Sequence, residues 1–207
     1  MKHKEPPKFN YQIKKTSGPE NHIIHSLEKW RVLFHKIKLL GESPIDKLSY
    51  GELSRRDVTD SEHFIITGEQ TGGLPNLKRE HYTKITEVDV KKMKILVEGS
   101  VAPPEHVFVH YAIYQALENI KFIFHIHQPQ IRKTLFKNKD YPVVKLEQKR
   151  ANDFLKEVES ETKDQTNNIV LVHELPDSVF ILGDDENVLG KFVLELNKKH
   201  QVKSSDN

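Results

Sequence analysis

The segment KFIFHIHQPQ, which runs from Lys121 to Gln130, constrains the fold more than any other part of the chain. Its large apolar residues follow the period-two pattern of a β-strand, in which successive side chains point to opposite faces. One predicted face carries Phe122, Phe124 and Ile126, and the other carries Ile123, His125 and His127. A core strand is therefore predicted here, with both imidazoles projecting to the same side.

Two histidines at this spacing form half of a possible metal site. On a strand their Cα atoms lie about 6.5 Å apart, close enough for both rings to bind one Zn²⁺ at about 2.0 to 2.1 Å per bond. The chain has 12 histidines in 207 residues, so a His-x-His pair also arises by chance. The spacing alone leaves two interpretations open: a metal-binding strand, or polar side chains carried by a core element.

A third histidine would favour the metal site, because a catalytic zinc typically takes three protein ligands and keeps one position for water or substrate. His173 is the best candidate, since it ends the apolar run NNIVLVH and shares a predicted face with Ile169 and Leu171. It could repeat the pattern of His125 and His127 on a neighbouring strand, or it could simply end a strand at the surface. Two further pairs compete with it: His106 with His110, and His22 with His25.

Composition excludes several classes of function. The net charge is only +2, from 32 basic and 30 acidic residues, so neither nucleic acid nor a membrane is predicted as a partner. Cysteine is absent, which leaves His, Asp and Glu as the available metal ligands. The first residues lack the apolar stretch of a signal peptide, and no run is long enough to span a bilayer. A cytoplasmic protein with one main domain is predicted.

The order of the predicted elements indicates a sheet flanked by helices. Apolar residues recur at helical spacing from Ile23 to Ile37, and a last helix is predicted around Leu189 to Leu196. SYGELSRRD is interpreted as a turn, and a charged helix is predicted around KLEQKRANDFLKEVESET. The predicted strands are HFIIT, HYTKITEVDV, KILVEG, KFIFHIH, NNIVLVHE and SVFILG, and a turn at APPE leads into the helix HVFVHYAIYQAL. Residues 1–20 are predicted to form a flexible arm, 21–200 a single domain and 201–207 a disordered tail.

The same order of motifs resembles the class II aldolase and adducin head-domain family, over the range from Ser26 to His200. A GNLS-type turn is similar to the sequence GELS at 51–54, and a TPxG-type loop is similar to IITGEQTGG. An "EG" before a PSSE segment is similar to Glu98, Gly99 and APPE. The helix motif HxxIY is matched by His110, Ile113 and Tyr114, the HxH strand by His125 and His127, and a strand ending in HG by Val172 and His173.

This resemblance implies a fold and a chemistry. The fold would be a three-layer α/β/α arrangement, in which helices cover both sides of a central, mainly antiparallel sheet. Three histidines, here His125, His127 and His173, would bind a divalent metal, usually Zn²⁺. The metal would stabilise the enediolate left when a small polyhydroxy carbonyl compound is cleaved. Glu105 would be the acid/base, and the protein would be a homo-oligomer, commonly a tetramer in this family.

The motifs that contact the substrate depart from the family pattern. The resemblance implies substrate contacts from Ser54, Thr71 and Gly72, but Glu52 stands where phosphate-binding members have asparagine. Pro103 and Pro104 replace the serines of PSSE, and Glu174 replaces the glycine after the third histidine. A carboxylate would repel a phosphate, and proline offers neither a hydroxyl nor an N–H. The substrate is therefore predicted to be a small molecule that need not carry a phosphate.

Three functions remain open at this level. Glu105 lies five residues before His110, whereas the family spacing is four, so an ungapped alignment would put His106 at the acid/base position. An aldolase-type lyase is favoured because the histidine set looks intact. A non-catalytic, adducin-like interaction module is the alternative, and a dehydratase or epimerase with the same metal site is a further one.

Overall fold

The computed structural model of the protein describes residues 9–138, 140–146, 151–163 and 168–202. Its helices are α1 (Asn21–Lys36), α2 (Val107–Ala116), α3 (Pro129–Lys137), α4 (Ala151–Thr162) and α5 (Glu186–Val202). Its first strands are β1 (Asn10–Lys15), β2 (Gly41–Glu42), β3 (Ser49–Tyr50), β4 (Glu52–Arg56), β5 (Phe64–Thr67) and β6 (Tyr82–Asp89). They are followed by β7 (Lys94–Gly99), β8 (Phe122–His127), β9 (Val143–Val144), β10 (Ile169–Val172) and β11 (Ser178–Gly183).

Nine of these strands form one sheet in the order β1-β7-β6-β5-β4-β8-β11-β10-β9, and β2 and β3 form a separate pair. Only the two edge pairings, β1 with β7 and β9 with β10, are parallel. The prediction of a mainly antiparallel sheet is confirmed. The strand that carries His125 and His127, β8, lies near the middle of this sheet between β4 and β11, as its apolar sequence predicted.

The helices cover both faces of the sheet and complete the predicted three layers. One face packs with α2 and α4 through a buried cluster that includes Ile123, Phe154 and Phe180. The other face packs with α1, α3 and α5 through a cluster that includes Phe34 and Phe124. The alternation of β8 therefore holds in the structure, since Ile123 and Phe124 contribute to opposite cores.

The segment SYGELSRRD forms two strands of different sheets, β3 and β4, rather than the predicted turn. Only Gly51 has the left-handed backbone of a turn residue, with φ +82, and it joins β3 to β4. The next residues, Glu52 to Arg56, form β4 between β5 and β8. The segment was interpreted as a turn because its polar residues are typical of a loop. In the structure two of them, Glu52 and Ser54, are buried and have hydrogen-bond partners.

Two other regions differ from the sequence-based expectation. Residues 10–15 of the predicted arm form β1, which pairs with β7 through the backbone, and the apolar alternation of Phe9, Tyr11 and Ile13 that marks this strand was not recognised in the sequence. The helix α3, not predicted, begins with Pro129 and is capped by the Gln128 side chain, which accepts from the Gln130 N–H at 2.9 Å. Residues 1–8 of the predicted arm and 203–207 of the predicted tail lie outside the described residues, whereas residues 201–202 of that tail belong to α5.

The remaining predicted elements agree with the structure. The amphipathic helix from Ile23 corresponds to α1, the helix after APPE is α2, and the last predicted helix lies within α5. The charged helix is confirmed from Ala151 as α4, while residues 147–150 of that prediction lie outside the described residues. None of the helices in the described ranges combines the length and the apolar character needed to cross a membrane.

Candidate active site

The pairing of β4 with β8 places a carboxylate beside the first of the predicted metal histidines. Glu52 is directly opposite His125 in the register of these antiparallel strands. Directly opposed residues project to the same face of a sheet. The Nδ1 atom of His125 therefore meets the Oε2 atom of Glu52 in a short hydrogen bond, and both side chains are buried.

A second imidazole reaches the same carboxylate from the start of α2. His106 is the residue before this helix, and its Nδ1 lies 3.4 Å from Oε1 of Glu52. The rings of His106 and His125 have centroids 5.0 Å apart. One ligand atom from each of Glu52, His106 and His125 lies within 4.8 Å of the others, and no other such trio of potential metal ligands occurs in the described part of the chain.

The protonation states of this trio follow from burial and from mutual contact. Burial opposes the charged form of Glu52, but the imidazoles of His125 and His106 outweigh it and hold the pKa of the carboxyl well below its usual value. Burial lowers the pKa of His125 to about 4. Although burial alone would lower the pKa of His106, Glu52 raises it above the usual value. At neutral pH, Glu52 is thus a carboxylate and His125 a neutral imidazole that donates its Nδ1–H.

The trio has the chemistry of a metal site. Two imidazoles and one carboxylate form a donor set used by catalytic zinc. Two ligands of a tetrahedral zinc lie about 3.3 Å apart when each bond is about 2.0 to 2.1 Å, and the 3.4 Å between His106 Nδ1 and Glu52 Oε1 is close to that separation. A metal bound by the trio would replace the proton that His125 Nδ1 donates to Glu52, because Nε2 lies on the far side of the ring from that carboxylate. These residues therefore fit a divalent metal.

His127, the second predicted ligand, lies next to this trio but already has polar partners. Its ring centroid is 4.8 Å from that of His125. Nδ1 lies 3.3 Å from a carboxylate oxygen of Asp177, and Nε2 lies 3.2 Å from the hydroxyl of Ser178, which is opposite His127 in the register of β8 and β11. Both nitrogens of His127 are therefore engaged in the described structure.

His173, the third predicted ligand, lies on a different part of the surface. Its side chain is 49 % exposed, its Nδ1 lies 3.6 Å from Glu174, and its ring contacts Phe136 of α3. The register explains this placement, because Val170 is opposite Phe180, and Phe180 is opposite His125. Ile169 and Leu171 accordingly face the other core, and continuing their alternation directs His173 away from His125. The structure does not bring His173 together with the trio.

A small cleft of about 110 Å³ opens beside Glu52 and His106. Its wall includes two of the residues predicted for the site, Glu105 and Gly72. Glu69 adds a third carboxylate to the lining. A side chain at position 72 would meet the carbonyl oxygen of Gly41 at 2.5 Å from its Cβ, so glycine is required for the close approach of the two loops.

The two hydroxyls predicted to contact the substrate are used inside the fold. Ser54 is completely buried, and its Oγ lies 2.8 Å from Nδ1 of His110 and 2.9 Å from the hydroxyl of Tyr114. Thr71 is also buried and donates to the carbonyl of Gly68 at 2.7 Å. In the described structure these side chains position the strand and the loop that form the cleft.

Glu52 was not predicted from the sequence as a metal ligand. It stood out only as a departure at a phosphate-binding position, because the segment GELS was interpreted as a turn. His106 was considered only as an alternative acid/base. Strand pairing between β4 and β8 brings Glu52 to His125 across 73 positions of sequence, and no local pattern marks that pairing.

Solved structures with the same fold support the architecture. Escherichia coli YgbL, described as an aldolase, epimerase or decarboxylase, matches with a TM-score of 0.62 and 13% identity over 87% of each chain. L-Fuculose-1-phosphate aldolase from Thermus thermophilus matches with a TM-score of 0.60 and 13% identity, over 90% of this chain and 95% of that one. A sugar-phosphate aldolase from Thermotoga maritima matches with a TM-score of 0.60 and 15% identity, over 88% and 94%. At such identities the likeness shows the shared fold alone.

The sequence itself matches a family over most of its length. No curated protein matches it with statistical significance. The sequence pattern of the class II aldolase and adducin N-terminal domain, however, covers residues 32–162, which is more than half of the chain and includes Glu52, His106 and His125. The protein therefore belongs to the class II aldolase and adducin N-terminal domain family.

Proposed function

We propose that this protein is a metal-dependent lyase of the aldolase type that acts on a small polyhydroxy carbonyl compound. The observation that carries the proposal is the trio Glu52, His106 and His125 at the edge of a cleft. Family membership makes lyase chemistry of this kind the natural use of such a trio. A dehydratase or epimerase at the same site would require the same trio.

In this proposal the trio supplies the protein ligands of a divalent metal, with Zn²⁺ as the first candidate. Such a metal acts as a Lewis acid toward the carbonyl and hydroxyl oxygens of a substrate. Glu52 contributes the negative charge, since its pKa lies well below the usual value. Phe180 fixes the plane of the His125 imidazole, because the two rings stack with centroids 4.1 Å apart and an interplanar angle of 11°.

Glu105 is the residue best positioned to move a proton. It lines the same cleft as Glu52 and His106, and its negative charge contributes to the raised pKa of His106. His106 is the competing acid/base, but its Nδ1 is already directed at Glu52. We therefore assign Glu105 as the acid/base and His106 as a ligand.

The lining of the cleft favours a substrate without a phosphate on this side. Glu52, Glu69 and Glu105 all contribute to the wall, and carboxylates repel a phosphate dianion. The hydroxyls of Ser54 and Thr71 already have partners within the fold, and the space beside Gly72 is filled by the loop that carries Gly41. A neutral polyhydroxy compound fits these groups.

Metal analysis of tag-free protein tests this assignment against the predicted set of His125, His127 and His173. After incubation with Zn²⁺, Mn²⁺ or Co²⁺ and removal of free metal, we expect about one equivalent in the unmodified protein and in His173→Ala. His106→Ala should lose it. Less than about a tenth of an equivalent of metal in the unmodified protein would refute the metal site. Loss of metal in His173→Ala but not in His106→Ala would instead support His125, His127 and His173 as the ligands.

Turnover is then tested with a panel of unphosphorylated and phosphorylated aldol compounds. Glu105→Ala should retain metal and lose activity, because the acid/base contributes about 10²- to 10⁴-fold to the rate. Glu69→Ala is the matched control, since Glu69 lines the same cleft but is not a member of the trio. Equal activity of Glu105→Ala and unmodified protein would contradict the role of Glu105.

A non-catalytic, adducin-like module is the second candidate. It is favoured by the fact that Glu52 already accepts from His125 and lies within 3.4 Å of His106, so the trio can satisfy itself without a metal. This candidate predicts no stoichiometric metal and no turnover. Both candidates allow a homo-oligomer, whose size light scattering coupled to gel filtration would measure.

A further inference from the structure

A second cleft, of about 480 Å³, lies between α3 and the turn after β10. It shares no lining residue with the cleft beside Glu52. Pro129 and Phe136 of α3 form one wall, and His173 and Pro176 form the other. The two clefts are thus separate places on the molecule, and the candidate metal centre uses only the first.

The base of this second cleft contains a buried guanidinium. Arg132 is 3 % exposed, donates through Nη2 to the carbonyl of Val172 at 3.0 Å, and lies 4.5 Å above the ring of Phe136. Its Nε is buried and has no hydrogen-bond partner among the described residues. A buried charged group with an unsatisfied donor is costly unless something else compensates it.

The carboxylate that acts on Arg132 also contacts an imidazole. Burial lowers the pKa of Arg132, and the charge of Asp177 partly offsets that effect. Asp177, however, lies 3.3 Å from His127. An arginine remains protonated at neutral pH even with such a shift, so its positive charge is only partly balanced by Asp177.

The rim of the cleft adds further positive charge and an apolar surface. Lys133 and Lys137 line it one turn apart on α3, and the ring of Phe136 between them is 44 % exposed. Glu174, the neighbour of His173, does not line the cleft, and its Oε2 accepts from the N–H of Leu146 at 2.8 Å. The open part of the cleft is therefore basic and partly aromatic.

We propose that this cleft is a binding site for a small organic anion. A carboxylate or a phosphate monoester would be held by Arg132, Lys133 and Lys137, and its carbon part would rest on Phe136 and the two prolines. Arginine favours planar, bidentate recognition of such groups, and its attraction for an anion is stronger where water is partly excluded. The anion would balance the positive charge of Arg132 and provide hydrogen-bond acceptors for its guanidinium.

Calorimetric titration at low ionic strength tests this site with three probes: phenyl phosphate, benzoate and inorganic phosphate. We expect phenyl phosphate or benzoate to bind with a dissociation constant of about 1 mM or below, and inorganic phosphate to bind more weakly because it lacks the carbon part. The stronger of the two organic probes identifies the preferred anionic group. Absence of binding by both organic probes up to about 10 mM would overturn the proposal.

Variants locate the binding. The double substitution Lys133→Gln with Lys137→Gln should weaken the organic probe about fivefold or more, and Phe136→Ala should reduce its advantage over inorganic phosphate. These side chains are exposed enough to be replaced without disturbing the core, unlike Arg132. Lys91→Gln with Lys92→Gln, in the turn between β6 and β7, is the charge-matched control. Equal affinity in the cleft variants and the control would overturn the site.

The substitution Glu52→Gln separates this inference from the proposed enzyme. It alters the candidate metal centre and should leave the affinity for the organic probe unchanged, because the two clefts share no residue. A parallel loss of probe binding in Glu52→Gln would show that the anion binds at the metal cleft, and the second site would be wrong.

Discussion

Glu52 and His125 are directly opposed on adjacent antiparallel strands, and the neutral imidazole of His125 donates its Nδ1–H to the Glu52 carboxylate. This contact fixes the orientation of a histidine that would otherwise be an unpaired polar group in a core strand. It also joins two positions that the sequence presents as unrelated motifs. The consequences of this relationship can be measured.

Replacing Glu52 by glutamine should weaken metal binding while preserving the fold. Glutamine keeps the shape and can still accept from His125, but it removes the negative charge of the trio. We expect the affinity for Zn²⁺ to fall at least about tenfold, measured by competition with a chelating dye. Glu69→Gln is the matched control in the same cleft. An unchanged affinity in Glu52→Gln would remove Glu52 from the ligand set.

Replacing Phe180 by alanine should destabilise the protein and release the His125 ring. Phe180 is fully buried and stacks on His125. Loss of a buried phenylalanine typically costs about 3 to 5 kcal/mol of the free energy of unfolding. Phe192→Ala, at a 38 % exposed position on α5, should cost much less. Urea denaturation of both variants tests the difference, and similar costs would contradict the packing described for Phe180.

Replacing Ser54 by alanine separates a structural role from substrate contact. The Ser54 hydroxyl is the partner of both His110 and Tyr114 in a buried cluster. Removing it leaves these groups without that partner, so we expect a loss of about 1 to 3 kcal/mol in the free energy of unfolding. The exposed Ser61→Ala is the control. A stable Ser54→Ala variant with an increased KM for substrate would instead support the substrate contact that the sequence predicted.

The pair formed by Asp57 and Lys84 should make stability depend on pH in the acid range. Asp57 is 6 % exposed, and although burial raises the pKa of its carboxyl, the contact with Lys84 at 2.5 Å and the bonds from Thr59 lower it overall. Because the pKa is lower in the folded state, the stabilisation is present above the unfolded value of about 3.9 and is lost as the pH falls below it.

This dependence can be isolated with Asp57→Asn. The variant should be less stable than the unmodified protein at pH 7 by about 1 to 3 kcal/mol, and the difference should shrink as the pH falls through the range below about 4. The exposed Asp184→Asn should show no such convergence. A stability difference for Asp57→Asn that is constant across this pH range would contradict the assignment.

The sequence by itself determined the layers of the fold and the strand that carries the site. Period-two alternation in KFIFHIH and helical spacing in α1 are local patterns, because a central strand sends alternate side chains into two layers and a surface helix buries one face. The ordered motifs also identified the family, because they record several such elements at once. Neither the local patterns nor the order of the motifs depends on knowing which strands are adjacent.

Only the tertiary structure decided which side chains meet. Glu52 joins His125 because β4 pairs with β8 in one register, and a shift by one residue would have turned Glu52 to the other core. His173 follows the same period-two pattern along its own strand but faces the opposite side of the sheet from His125. The register of β10 with β11, and of β11 with β8, decides which residues of β10 share a face with His125. Strand order and register arise from packing across the whole domain, so the spacing of residues along one strand could not reveal them.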